Sequence, residues 1–186
     1  MIFELLSREF AHTRRKNLLL RDLDELVNQQ LSKMLFANPQ RIDYYDRYQE
    51  IIDAYNAEQN RATIEKTFMD LMELASSLDT EQQRYVREGF SSDEELSVYD
   101  LLFSENLTKQ EIETIKKVSV DLLTKIKQQI AKLDHWTDKQ ETKAIVDNLI
   151  RNTLWQELPN SYDVSDIQTY QKKIYEYVYM RYPEVA

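Results

Sequence analysis

Between residues 3 and 37, Leu18, Leu19, Leu23, Leu26, Leu31 and Leu35 return near the spacing of an α-helix, which predicts one long helix or two joined end to end. "NPQRID" interrupts the pattern. Asn38 is a good N-cap, and Pro39 suits the first helical position, where its missing N–H costs nothing. The next helix runs to about residue 58 and turns Tyr44, Tyr48, Ile51, Ile52 and Tyr55 inward. A third, over about 61–78, carries Ile64, Phe68, Leu71, Met72, Ala75 and Leu78 on one face, and Asp79-Thr80 reads as a new start. The short helix that follows stops at Gly89, the only glycine, in a left-handed cap.

The pattern then restarts at "SSDEELSVYDLLF", with Ser91 and Glu94 spaced as a capping box, and again at Thr108 and Glu111. Residues 108–134 give the clearest helix, its face marked by Ile112, Ile115, Ser119, Leu122, Ile126, Ile130 and Leu133. Thr137 with Gln140 opens the next, which Pro159 ends because proline cannot continue the hydrogen-bond ladder. Ser165 is expected to cap the last helix, 166–182.

One Gly and three Pro leave almost no residues for tight hairpins, so the fold class is all-α. At 186 residues the chain is long enough for one compact domain that buries about two thirds of its unfolded surface. The expected architecture is a single irregular bundle of about eight helices, residues 1–186, with 1–37 as a long N-terminal helical arm and 38–186 as the core.

Hydrophobic residues at 42% and charged residues at 31% fit a folded soluble protein. The absence of Cys excludes disulfides, thiolate zinc clusters and thiol catalysis. No apolar run nears the roughly 18 residues of a membrane span, and the N-terminus lacks the basic-then-apolar order of a signal peptide, so a cytoplasmic protein without membrane association is expected. Net charge is −9, against coating of nucleic acid by the whole surface. Residues 1–41 depart from this balance, with seven Lys+Arg against five Asp+Glu. Arg8, Arg14, Arg15, Lys16 and Arg21 are therefore the candidate DNA-contacting residues, although a solvated helix flank accounts for them equally well.

Catalytic candidates are few. His12 and His135 stand alone, without a partner at i+3 or i+4, and read as solvated or half-buried side chains rather than metal ligands or bases. A phosphate loop is excluded by the single Gly. Glu94-Glu95 and Asp134-Asp138 read as solvated acids or helix starts rather than acid/base pairs, and no nucleophile, base and orienter can be grouped. Catalytic, metal and cofactor residues are accordingly expected to be absent from this segment. The last helix is richer: five of the twelve Tyr lie within 170–182. Ile167, Tyr170, Ile174, Tyr177, Val178 and Arg181 make its core stripe, while Tyr175, Tyr179 and Tyr182 widen the aromatic zone into a candidate partner-binding surface.

Three stretches in order, "LFANPQRIDYYDRYQEIIDAYN", "EGFSSDEELSVYDLLF" and "HWTDKQETKAIVDNLIRNTLWQELPNSYD", resemble the C-terminal helical region of the R subunit of type I restriction-modification enzymes. The resemblance covers roughly residues 31–186. It implies that "NTLWQELPNSYD" is a closing corner, in which Trp155, Leu158 and Tyr162 pack a turn bent by Pro159 between the last two helices. It also implies a parent subunit that is an ATP-dependent type I site-specific deoxyribonuclease, with ATP and Mg bound elsewhere in that subunit. This chain would be an excised C-terminal piece of it.

The leading expectation is thus an assembly domain coupling the ATP-dependent DNA translocase and endonuclease to the methyltransferase core. Its partners by resemblance are that core, the remainder of its own R subunit and, in the full complex, duplex DNA. The alternative is a DNA-contacting helical domain in which Arg14, Arg15 and Lys16 grip phosphates. An independent enzyme with a carboxylate site ranks last.

Overall fold

The computed structural model describes residues 2–58 and 60–183, with side chains from residue 5 onward; residues 1, 59 and 184–186 of the expected domain lie outside it. The described residues form nine α-helices and no strand. They are α1 (Ile2–His12), α2 (Lys16–Ala37), α3 (Ile42–Ala57), α4 (Arg61–Gln82), α5 (Arg84–Arg87), α6 (Asp93–Leu102), α7 (Lys109–Ile130), α8 (Gln140–Glu157) and α9 (Val164–Arg181), with a 3₁₀ turn at Pro39–Arg41. The all-α expectation holds. No described helix is long and apolar enough to cross a membrane.

The chain divides into two compact units, Met1–Arg84 and Tyr85–Ala186. This division falls at a different place from the arm and core read from the sequence.

In the first unit α4 lies against both α2 and α3, and α1 against α2. The predicted 3–37 segment is two helices, because Thr13 Oγ1 accepts the Arg15 N–H at 3.1 Å and diverts it from the ladder. Far from being an arm, α2 buries Leu20, Leu23, Val27, Leu31 and Met34 in a core shared with Phe68, Leu71, Leu74, Ala75 and Leu78 of α4. Asp79 and Thr80 start no new helix. The buried face of α4 continues through Leu78 to Glu81, while Asp79 accepts a hydrogen bond from Gln30 at 2.9 Å and the Thr80 hydroxyl donates to the Ser76 carbonyl at 3.0 Å.

Asn38 behaves as read, its side chain accepting the Gln40 N–H at 3.1 Å. Arg41, at the end of that turn, is buried, and its Nε donates to Glu81 Oε1 at 3.0 Å, with an Arg84 nitrogen 3.2 Å from the same oxygen. Burial raises the Tyr44 phenol, and the nearby Glu81 carboxylate raises it further. Tyr48 donates to Asp24 at 2.7 Å and accepts from Asn28 at 3.0 Å. These groups satisfy polar atoms that would be costly to bury unpaired.

The second unit is a ring of four helices: α6 lies against α7, α7 against α8, α8 against α9, and α9 returns to α6. Gly89 at φ +85° ends α5 as expected; Phe90 N–H reaches the Tyr85 carbonyl at 2.8 Å and Gly89 N–H the Val86 carbonyl at 3.1 Å, a Schellman motif. That motif holds Phe90, so α6 starts one residue later than predicted, with Ser92 accepting from Glu95 N–H and Glu95 accepting from Ser91 N–H. The Thr108–Glu111 box on α7 is present as read, and its hydrogen bonds from Thr108 hold the Glu111 carboxyl below its usual range.

Other helix boundaries differ from the reading. Helix α7 ends at Ile130, and residues between it and α8 form turns around the buried Trp136. Thr137 caps nothing there. Thr142 instead donates to the Trp136 carbonyl at 2.7 Å, and α8 starts without a side-chain cap. Asp163, rather than Ser165, caps α9, exchanging hydrogen bonds with Asp166 in a capping box.

Candidate functional site

The tyrosines of α9 face two ways. Tyr177 is buried with Ile167, Ile174 and Val178, and burial pushes its hydroxyl above the usual phenol range. Tyr175 and Tyr179 set their rings edge-on to Trp136, at 6.1 and 5.7 Å between centroids. Trp136 Nε1 donates to the Tyr182 carbonyl at 2.6 Å, and Lys127 Nζ lies 5.3 Å from the Tyr182 ring. Tyr182 itself is raised, chiefly by burial. Of the three residues read as a partner surface, Tyr175 and Tyr182 are therefore half-buried parts of an aromatic joint. Tyr179, at 39% exposure, leaves most free area.

The corner after α8 is built partly as expected. Leu158 packs against the core, and Tyr162 is buried with its hydroxyl donating to the Leu102 carbonyl at 2.7 Å. Pro159 sits beside them, its carbonyl accepting the Tyr162 N–H at 3.1 Å. Trp155 does not join: it is 49% exposed, because α8 turns Val146, Ile150, Thr153 and Leu154 inward and position 155 falls on the opposite side. The tryptophan that seals this unit is Trp136, at 1% exposure. Sequence reasoning missed it because a lone Trp in "DHWTD" follows no helical period; its size was the only available signal.

The basic N-terminal residues gather incompletely. Arg14 and Lys16 line a cleft of ≈ 470 Å³ with Arg61, whereas Arg8, Arg15 and Arg21 lie outside its lining. Lys16 is committed to Glu65 at 2.6 Å and sits 4.9 Å from the Phe10 ring centroid. Glu65 also meets Arg61 at 3.3 Å, and its hydrogen bond from Lys16 leads the effects that lower its pKa. Arg21 approaches Asp22 at 3.7 Å and is largely exposed.

The remaining candidates make local contacts. His12 Nδ1 lies 2.8 Å from the Arg8 carbonyl at the end of α1, and His135 occupies a turn at φ +46° with Asp134 3.5 Å away. Glu94 pairs with Lys127 and approaches Arg181 at 3.9 Å, while Glu95 serves the α6 cap. Among the described residues no group of His, Asp or Glu is arranged to hold a metal ion.

Comparison with known proteins gives a family match over residues 3–182, to the C-terminal region of type I restriction enzyme HindI endonuclease subunit-like proteins. No curated protein and no solved structure gives a significant match.

Proposed function

Because the chain belongs to the family of C-terminal domains of type I restriction enzyme HindI endonuclease subunit-like proteins, we propose that it is an assembly domain, coupling the ATP-dependent translocase and endonuclease of its subunit to the methyltransferase core. The family match, which runs through both compact units, carries this reading. In this reading ATP and Mg act in the motor part of the parent subunit, and duplex DNA is a partner of the full complex. The side chains of this chain supply shape and contact.

The test is a pull-down of the chain with its cognate methyltransferase core, at low and high salt, with and without duplex DNA. Binding that persists without DNA is expected. Loss of all core binding would remove the assembly role.

A second reading is favoured by one observation, the cleft that gathers Arg14, Lys16 and Arg61. It makes the domain a phosphate-contacting one. Duplex binding by the isolated chain that falls steeply with salt would support it, and its charge supply is limited because Glu65 already engages two of the three cations.

A further inference from the structure

Past its first turn, helix α8 presents an exposed face of apolar residues, amides and a single charge. Val146, Ile150, Thr153 and Leu154 point into the second unit, which leaves Ala144, Ile145, Asn148, Arg151, Asn152 and Trp155 exposed together on the opposite side. Residues seven apart recur on nearly the same line of a helix, so Ala144 and Arg151 form one flank about 10 Å long, Asn148 and Trp155 the ridge, and Ile145 and Asn152 the other flank. Ile145 is 43% exposed and Trp155 49%.

Arg151 is the one charge on this face beyond Glu141 of the first turn. Between residues 142 and 156 the one carboxylate is Asp147, which is half-buried and accepts from Gln171 at 2.8 Å. Lys143 is half-buried too, its Nζ 5.7 Å from the Tyr179 ring centroid. The outward side of α3 is the reverse, with Asp43, Asp46, Glu50 and Asp53 all exposed. On a chain of net charge −9, this face lets an acidic protein approach a cation with no exposed acid within a turn of it on the same helix.

Trp and Arg are the side chains that dominate binding energy at protein interfaces, and here they stand one helical turn apart, bordered by Asn side chains that can pair at a rim. Ala144 leaves the N-terminal end of the face low enough for a partner backbone to come close beside Ile145. A second copy of the chain fits less well. A two-fold pairing sets this face against itself, and past the first turn it offers Arg151 no exposed carboxylate. Nucleic acid fits less well still, because one cation releases few counterions and Ile145 adds nothing to a phosphate contact.

We propose that the outward face of α8 is the docking surface for the methyltransferase core, received by a protein groove with an apolar floor for Trp155 and Ile145 and a carboxylate opposite Arg151. The inference rests on the assembly role proposed above and names its surface.

The experiment titrates the purified core into the full chain and three variants, Trp155→Ala, Arg151→Glu and Tyr179→Ala, with a parallel titration of duplex DNA. All three side chains are exposed, and far-UV circular dichroism checks that each variant keeps its helices. The expected result is a loss of about 30-fold in core affinity for Trp155→Ala. Arg151→Glu should weaken binding at low salt and flatten its salt dependence, while Tyr179→Ala stays near the parent chain. Equal core binding by the parent chain, Trp155→Ala and Arg151→Glu would overturn the α8 surface and leave the assembly role standing. A parent chain that fails to bind the core at all would sink both. DNA binding lost only in Arg151→Glu, with core binding unaffected by any variant, would make the face a nucleic-acid contact and overturn the protein partner.

Discussion

The two compact units solve the same problem, burial of polar groups among helices, by different chemistry. The first places charge in its interior: Arg41 and Glu81 are both nearly inaccessible, and Arg84 and Tyr44 close around the carboxylate. The second uses aromatic side chains whose polar tips find main-chain oxygens, Trp136 at Tyr182 and Tyr162 at Leu102. A buried ion pair is sensitive to loss of either partner, because the survivor keeps its desolvation cost. An aromatic anchor is sensitive to volume, since it fills space that its neighbours cannot collapse into.

Deletion of one member from each unit gives the largest effects. Glu81→Ala leaves Arg41 buried beside Arg84 and should cost about 3–5 kcal/mol, whereas replacing Arg41 and Glu81 together by Met and Leu should recover most of that loss. Trp136→Ala should cost about 3–5 kcal/mol through the cavity it opens and the Tyr182 carbonyl it strands. Urea unfolding followed by far-UV circular dichroism measures both. A double replacement as damaging as Glu81→Ala would mean that the first unit depends on the volume of these side chains, and the contrast would fail.

High pH should separate the units next. In the first, burial raises Tyr44 and pushes Tyr48 up to about 12. In the second, burial raises Tyr162, Tyr170, Tyr175, Tyr177 and Tyr182. A phenol whose folded-state pKa lies above its unfolded value favours the fold while neutral, so this stabilisation is complete below about pH 10 and is lost as pH climbs through the folded-state values. The second unit, with more such groups, should unfold first on alkaline titration. Both Trp lie in that unit, so their fluorescence reports it alone while circular dichroism follows the whole chain. Coincident transitions by the two probes would erase the distinction.

Removal of one polar tip should do less than removal of a whole anchor. Tyr162→Phe keeps the ring against Tyr170 and leaves the Leu102 carbonyl without its partner, at a cost of about 1–3 kcal/mol. A value near zero in thermal unfolding would mean that water takes the place of the hydroxyl and that packing alone holds the corner.

The parts legible in the sequence were those written in a helical period. The inner stripes of α4 and α7 follow from Phe68 and Ile115 and their repeats, and Gly89 announced its own cap, whereas the stripe read on α2 holds for Leu23 and Leu31 and fails for Leu18 and Leu26, which are exposed while Leu20, Val27 and Met34 are buried. Boundaries set by tertiary contact were not legible. Helix α4 runs through Asp79-Thr80 because Leu78 and Glu81 continue its buried face, and α6 starts late because Phe90 is fixed by the turn before it. The candidate surface suffered most. Tyr175 and Tyr182 looked like surplus aromatics until Trp136, which lies outside any period, gave them a partner, and the same geometry left Trp155 in solvent.

The smallest effect addresses the clearest boundary difference, the start of α9. Asp163 and Ser165 are both good N-cap residue types, and only Asp163 occupies the cap, its carboxylate accepting the Asp166 N–H at 2.8 Å while the Asp166 carboxylate accepts the Asp163 N–H at 3.0 Å. A cap satisfies one of the free N–H groups of the first turn, so Asp163→Ala should lower stability by about 1 kcal/mol. Ser165 lies inside the helix, where its carbonyl accepts the Thr169 hydroxyl at 2.9 Å, and Ser165→Ala removes no side-chain cap and substitutes the best helix former. That variant should therefore be neutral or slightly stabilising in thermal unfolding. The reverse order of the two would place the cap at Ser165, shift the first turn of α9 by two residues, and loosen the link between Tyr162 and the helix that follows it.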